Sequence, residues 1–533
     1  MTVVRFEYRF KNERTVKFVL EGKDGVSLGG EMLRRRGDHP AIVMADSGRT
    51  VSYAELDDRS TRLARVFDEA GLAPGDHVAL MIGNQPEFFD VLWAAFRSGL
   101  YLTPINWHLG PDEVGYIIDN CGAKAFVTSS DLAETAAGLL SDRPAVTTRL
   151  MTGEAIDGYN GLDDVLTATS GEPRSDERSG TFMLYSSGTT GYPKGIVREL
   201  PHRPFGDTND PIAALMSAAY GADETSVYLC PAPLYHAAPI GFSSAMHRIG
   251  GTVVVMERFD SAAALAAIET HAVTHAQFVP THFIRMLHLP DDARKVSDLS
   301  SLKCVLHAAA PCPVPTKRQM IEWMGPILEE YYSGSEAFGF TMISSKEWLE
   351  HPGSVGKPFG GTAVHITDAV GEELPVGDTG QVWFEATSRF EYHDDPAKTA
   401  TATDDRGWAT YGDIGHLDDD GYLYLTDRAS NMIISGGVNI YPQEAEMVLS
   451  AHPDVHDVAV IGVHDDEMGE RVKAFVQRRT EPADPERAAQ ELIAYCREHL
   501  AHYKCPKELA FVDALPRMDT GKLVKRKLLE GTR

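Results

Sequence analysis

The chain has 533 residues and a formal net charge of −27, from 50 basic against 77 acidic side chains. At 43% hydrophobic and 24% charged it has the composition of a globular protein, long enough for several lobes and a large buried core. So acidic a balance disfavours a nucleic-acid binder held by phosphate contacts and a basic membrane-surface protein.

Six cysteines (Cys121, Cys230, Cys304, Cys312, Cys496 and Cys505) form no CxxC pair, so neither a zinc ribbon nor a thioredoxin-like site is expected. They read as reduced packing thiols of a cytoplasmic protein. The first residues carry a charge every two or three positions, which leaves no apolar core for a signal peptide. No run of 18 apolar residues is free of charge, so no membrane insertion is expected.

Residues 3–10 and 15–20 alternate between apolar and polar side chains around a charged turn, which predicts a β-hairpin within an N-terminal extension, 1–28. From residue 50 an α/β rhythm begins. Ser52 and Glu55 form a capping box ahead of Leu56, Leu63, Val66 and Phe67 at helical spacing. A buried strand at 77–83 follows, then a helix opened by Pro86 and closed by Gly99. Strand YLTPI, a helix over 111–120 and strand KAFVT continue the alternation. It recurs over 212–330, with strands at 250–256, HAQFVP and CVLHAAA and a helix at 261–270. Strands alternating with helices imply a parallel or mixed sheet covered on both faces. Over 360–427 the texture changes to short strands and turns, a β-rich lobe. A small α/β unit follows, with helices near 442–451 and 486–500 and strands VHDVAVIGV and RVKAFVQ. The predicted fold class is α/β: a large N-terminal domain over 29–429, made of two α/β subdomains and a β lobe, then a small mobile α+β C-terminal domain over 430–533.

The run LYSSGTTGYPKGI, 184–196, carries the most chemistry. It follows an apolar strand, TFMLY. Its glycines let backbone N–H groups turn toward a phosphate, its hydroxyls add donors, and Lys194 supplies positive charge. The spacing differs from GxxxxGK[ST], which disfavours a P-loop kinase or GTPase.

SSGTTGYPKG resembles the signature loop of the adenylate-forming superfamily, which holds acyl-CoA synthetases, nonribosomal adenylation domains and beetle luciferases. HAAAP (307–311), YYSGSE (331–336), TYGDIG (410–415), YLTDR (424–428), IISGGVNIYPQEAE (433–446) and PRMDTGKLVKRKL (516–528) follow in that family's order. The resemblance spans roughly residues 30 to 530. It implies an ATP-, Mg²⁺- and coenzyme-A-dependent enzyme that joins a carboxylate to AMP and then passes the acyl group to a thiol. It places Ser186, Ser187, Gly188, Thr189, Thr190 and Lys194 around the phosphates, Ser335 at the α-phosphate and Glu336 on Mg²⁺. Ala308, Ala309 and Ala310 with Tyr332 would hold adenine, and Asp413 and Arg428 the ribose. Lys522 would bridge the carboxylate and the α-phosphate during adenylation. Gly436 and Gly437 would line the thiol channel once the C-terminal domain has rotated about a hinge at Ser430, where the family usually has Asp or Lys. Ser333 and Ala308 stand where glycine is common.

PAPLYHAAPIGF (231–242) corresponds to the family's border of the acid pocket, with His236 as its lining or gating residue and Ala237, Ile240 and His307 beside it. The segment carries no carboxylate to pair a substrate amine, which favours a plain carboxylic acid over an amino acid. Small residues around the site suit a fatty, aromatic or steroid acid. The expected activity is that of a stand-alone acyl-CoA synthetase. The alternative is a ligase that loads a carrier protein. A homodimer is expected on base rates. Residues 503–533 carry eight basic against four acidic groups, a local charge of +4 on an otherwise acidic frame, placed where anionic substrates must be attracted.

Overall fold

The computed structural model describes residues 5–9, 15–19, 30–186, 193–206, 210–359, 362–428, 431–436, 438–465, 467–517 and 523–530. Arg5–Arg9 and Thr15–Val19 pair as an antiparallel hairpin. Two helix-flanked sheets make up most of the rest.

The first sheet has six strands, all parallel. His77–Met81 lies at its centre, between Tyr101–Pro104 and Ala123–Ser129. Val78, Ala79, Leu80 and Met81 are all fully buried, because helices cover both faces and no residue of the strand need face water. The helix Glu87–Arg97 is buried along its whole length. Its Phe89 and Trp93 share one core with Val253 and Ile42 of the second sheet, so the two α/β units are fused through this helix. Ser52 and Glu55 form the expected capping box on the helix Tyr53–Glu69.

Among the described residues the second sheet has nine strands. Six are parallel, in the order Pro40–Met44, Thr252–Val255, Val227–Cys230, His275–Phe278, Cys304–His307 and Leu328–Tyr332, with antiparallel strands at both edges. Pro40–Met44 is a strand the local pattern does not announce. Its partner, Val253–Val255, lies some 200 residues along the chain. The expected strand TFMLY divides at the buried Met183. Thr181–Phe182 extends the first sheet, whereas Leu184–Ser186 joins Lys194–Arg198 and Phe390–Tyr392 in a separate antiparallel ribbon. The expected strand CVLHAAA stops at His307, and Ala309 adopts a left-handed conformation at φ 75°.

An antiparallel β lobe follows, with strands Val364–Thr367, Gly380–Glu385, Asp413–Leu417 and Leu423–Arg428. The C-terminal unit packs the helices Pro442–Ser450 and Pro485–His499 against a sheet built on the long hairpin Val455–Asp465 and Gly469–Arg478. No helix among the described residues is long and apolar enough to cross a membrane.

Several core histidines are buried neutral. His247 accepts from the Trp93 indole N–H at 3.1 Å and faces the Ala41 carbonyl at 3.0 Å, which puts its proton on Nε2. Burial pushes His247 down to about 4 and His282 to about 3, and lowers His307 well below the usual range. In the unfolded chain such rings take up a proton near 6.5. The stability tied to their neutral form is therefore complete above that pH and is lost as pH falls toward 4. Each such group adds a loss of about 1.4 kcal/mol per pH unit near pH 5, opposed by Asp90 and Glu329, whose pKa values burial raises to about 6 and about 8. Urea unfolding at pH 7, 6 and 5 checks this. His282→Phe, at a ring already stacked on Phe259 at 3.8 Å, removes about one proton from that slope.

Candidate active site

The parallel strands of the second sheet end on one cavity of about 2550 Å³. The β lobe and the C-terminal unit close its other sides. This is the crevice outside the carboxyl ends of strands that open α/β sheets use for ligands.

One wall of the cavity is built by three segments. Strand Leu328–Tyr332 ends in the turn Ser333–Glu336. Gly334 packs there against the Tyr411 ring, where a Cβ would collide with it. Ser333 does not merely add bulk: its hydroxyl donates to the Gly339 carbonyl at 2.8 Å and meets the Tyr411 hydroxyl at 3.3 Å, stitching the turn. Asp413 faces Arg428 across the antiparallel pair of the β lobe. The Tyr332 hydroxyl donates to Asp413 Oδ2 at 2.5 Å, and Arg428 Nε donates to Oδ1 at 3.1 Å. Asp413 is only 6% exposed, and burial raises its pKa against the pull of Arg428. Ala308, Ala309 and Ala310, Ser186, Ser335 and Glu336 line the same cavity. Tyr392 donates to Glu336 Oε1 at 2.6 Å.

Lys194 donates to Asp395 at 2.7 Å and does not line the cavity. Beside it Lys398 lies over the Tyr392 ring at 4.1 Å, and burial lowers its pKa, with Lys194 adding to the effect. Arg198 donates to the Ser335 carbonyl at 2.5 Å. Arg198, Tyr392, Asp395 and Lys398 are functional neighbours the sequence reading passed over. Asp395 before Pro396 signals a helix start, and its side chain does cap Pro396–Ala402. Nothing in that local pattern marks Lys398 as facing a cavity.

His236 immediately precedes the helix Ala237–Ile249, lines the cavity and packs against Tyr235 at 4.2 Å. Ala237 and Ala238 line it as well. Ile240 and His307 do not. Ile240 is fully buried in the core, because the helical period turns it away from the face that carries Ala237 and Gly241. His307 is 0% exposed and lies 3.6 Å from Glu330, behind the cavity wall formed by Ala308, Ala309 and Ala310. Gln277 lines the cavity, whereas His275, His282 and Phe283 do not.

In the C-terminal unit, Arg517, Leu523, Val524, Lys525 and Lys527 face the cavity. Arg517 chelates Asp457 through two contacts of 2.6 Å, and Lys525 pairs with Glu446 at 2.8 Å. Gly436, at φ 58°, donates its N–H to the Met468 carbonyl at 2.8 Å and lies away from the cavity. Asp427 holds both sides of the connection: its carboxylate accepts from Arg428 N at 2.6 Å, Asn431 Nδ2 at 3.0 Å and Gln443 N at 2.9 Å. Ser187, Gly188, Thr189, Thr190, Ser430, Gly437 and Lys522 lie outside the described residues.

No group of three His, Cys, Asp or Glu side chains able to hold a metal ion occurs among the described residues. Mg²⁺ does not require one, since it keeps several waters and binds through one or two carboxylates plus substrate phosphates. Glu336, on the cavity wall with one oxygen engaged by Tyr392, fits that requirement.

Residues 31–391 match the family described as AMP-binding enzyme, and residues 444–522 match the AMP-binding enzyme C-terminal domain. A feruloyl-CoA synthase from Amycolatopsis sp. is 34% identical over 93% of this chain and 97% of its own length. A fatty acid–[acyl-carrier-protein] ligase from Streptomyces coeruleorubidus is 30% identical over 92% of each chain. The solved structure of an amide bond synthetase from Marinactinospora thermotolerans superposes with a TM-score of 0.80 at 28% identity, covering 95% of this chain and 99% of that one.

Proposed function

The chain belongs to the AMP-binding enzyme family, and we propose that it activates an aromatic or fatty carboxylic acid with ATP as an acyl-adenylate and transfers the acyl group to coenzyme A. One observation carries this: the Tyr332–Asp413–Arg428 cluster, Glu336 and the basic side chains of Arg517, Lys525 and Lys527 all border the cavity that His236 and Ala237 line. The carboxylate of Asp413, already fixed by two donors, is positioned to accept the ribose hydroxyls. Bound Mg²⁺ would supply charge neutralisation on the polyphosphate, held in part by Glu336. Lys194, Lys398 and Arg198 add positive charge nearby, so anions meet local cations inside an acidic frame. Lys522 bridges the two reacting anions, and its flanks Arg517 and Leu523 pair with each other on the cavity wall.

We assign residues 1–28 to an extension, 29–429 to the catalytic body and 430–533 to a mobile domain. With Arg517, Leu523, Val524, Lys525 and Lys527 on the cavity wall and Gly436 away from it, the domain's placement suits the adenylating step. The thiol step then requires rotation about the hinge assigned to Ser430. Six cysteines, all free thiols, fit a reducing cytoplasmic compartment.

Pyrophosphate and AMP release across aliphatic, aryl and steroid acids, with coenzyme A or a pantetheinylated carrier as acceptor, tests the proposal. Thioester formed only on the carrier transfers the assignment to carrier loading. No release with any acid overturns it.

Lys194 must leave Asp395 to reach a phosphate. Asp395→Asn keeps the helix cap and removes the competing charge. A solvent-screened pair is weak, so the KM for ATP falls only about 1.5- to 5-fold in this variant. Steady-state kinetics at saturating acid read this out.

A further inference from the structure

We propose that Lys398 is the cation that takes up the β- and γ-phosphates of ATP and keeps hold of the pyrophosphate they become. This rests on the acid-activating function above and deepens it.

The ribbon of Lys194–Arg198 and Phe390–Tyr392 sets two lysines side by side. The His393 N–H donates to the Gly195 carbonyl at 2.9 Å, so the chain stays beside the end of the run 184–196 as it enters the helix Pro396–Ala402. Asp395 then ties the two segments together. One of its oxygens accepts from Lys194 Nζ at 2.7 Å, and the other accepts from the Lys398 backbone N–H at 2.9 Å. The outcome is unequal. Lys194 is spent on Asp395 and does not line the cavity, whereas the Lys398 side chain does.

Lys398 is half-buried, and its Nζ lies over the Tyr392 ring at 4.1 Å. It forms no ion pair with a carboxylate among the described residues. A ring face holds an ammonium more weakly than a phosphate oxygen that accepts its hydrogen bond. The flexible four-carbon stem lets the charge leave the ring while the helix stays in place. Burial and Lys194 lower the Lys398 pKa, against the pull of Glu336 and Asp395, and of these charges and Arg428 it is Arg428 that acts on it least. The ammonium therefore stands on the Lys194 and Glu336 side of the site, away from the Asp413–Arg428 pair. The Tyr392 hydroxyl donates to Glu336 Oε1 at 2.6 Å, so the ring that seats the lysine also positions the carboxylate that suits Mg²⁺.

Two neighbouring ammonium groups repel each other, and this decides the ligand. A phosphate chain with several negative charges relieves both. AMP ends at the α-phosphate, assigned to Ser335, and offers Lys398 nothing. During adenylation the carboxylate oxygen bonds to the α-phosphorus while the bond from that phosphorus to the bridging oxygen breaks. The electron pair leaves on the bridging oxygen, so negative charge grows on the pyrophosphate that Lys398 holds.

Titration calorimetry of the full chain with Mg²⁺ present compares α,β-methylene-ATP, which cannot be cleaved at that bond, with AMP and with inorganic pyrophosphate. Lys398→Met is expected to weaken the ATP analogue and pyrophosphate by roughly 10- to 100-fold, the range for a hydrogen bond to a charged group, and AMP by less than about 2-fold. Lys398→Arg, which keeps the charge, is expected to recover most of the loss. The affinity for AMP reports that each variant is folded. An equal loss on the analogue and AMP in Lys398→Met overturns the proposal and leaves Lys398 as a packing partner of Tyr392. A loss that Lys398→Arg does not reduce overturns it as well. Wild type that binds all three ligands, with affinities unchanged in Lys398→Met, overturns the role of Lys398 while the acid-activating function stands. Wild type that binds neither AMP nor the analogue overturns that function, and this proposal with it.

Discussion

Lys522→Ala is expected to lower acid-dependent ATP–pyrophosphate exchange by about 10²- to 10³-fold, the cost of removing one group aimed at developing transition-state charge. The same variant is expected to convert supplied acyl-adenylate and coenzyme A to thioester at close to the wild-type rate. The asymmetry follows from the charges. In the first half-reaction a carboxylate approaches a phosphorus flanked by anionic oxygens, and a cation between them offsets the repulsion. In the second a thiol displaces AMP, a far better leaving group, after the domain has turned. The surroundings fit this placement. Val524 N–H donates to the Pro516 carbonyl at 2.8 Å, closing the loop that carries Lys522, and both flanks of that loop border the cavity. Positional pyrophosphate exchange and a separate adenylate-to-thioester assay check the two halves. Exchange that survives the substitution would remove Lys522 from its role.

Lys317→Met is expected to destabilise the fold by about 3–5 kcal/mol, the cost of leaving one member of a buried ion pair alone. Lys317 is 0% exposed, lies over the Trp348 ring at 4.8 Å and donates to Glu330 Oε2 at 2.5 Å. Burial raises the Glu330 pKa, and Lys317 opposes the rise. Without the lysine that opposition is gone, so Glu330 takes a proton or the strand shifts. Glu330 lies two residues before Tyr332, so ATP affinity falls along with stability. Replacing both partners, Lys317→Met with Glu330→Leu, is expected to recover most of the loss, because an apolar pair of similar volume suits a buried site. Urea unfolding of the three variants at pH 7 decides this. A single-variant cost under about 1 kcal/mol contradicts it.

The parts of the site legible in the sequence are those whose chemistry is local. The run 184–196, with its glycines and hydroxyls, and six further motifs in order identify the family. Asp413 and Arg428 belong to two separate motifs, and the antiparallel pairing of their strands sets them face to face. Ile240 was misplaced because a motif names positions along the chain and not the face of the helix they occupy. His307 was misplaced because its neighbour in sequence, Ala308, does line the cavity, while the strand end turns the ring inward. Lys398 and Asp395 lie some 200 residues from Lys194, and only the ribbon formed by Lys194–Arg198 and Phe390–Tyr392 brings them together.

By itself, then, the order of residues determined the α/β alternation, the change to a β lobe, the family and the acidic frame with its basic tail. Each of these depends on period, composition or a turn's need for glycine, all of which act within a few residues. The tertiary structure alone decided that Pro40–Met44 pairs with Val253–Val255, that Lys194 is held by Asp395, and that Lys398 faces the cavity. Those are choices of partner across the fold. They are made by which surfaces pack together, and no short stretch of chain carries that information.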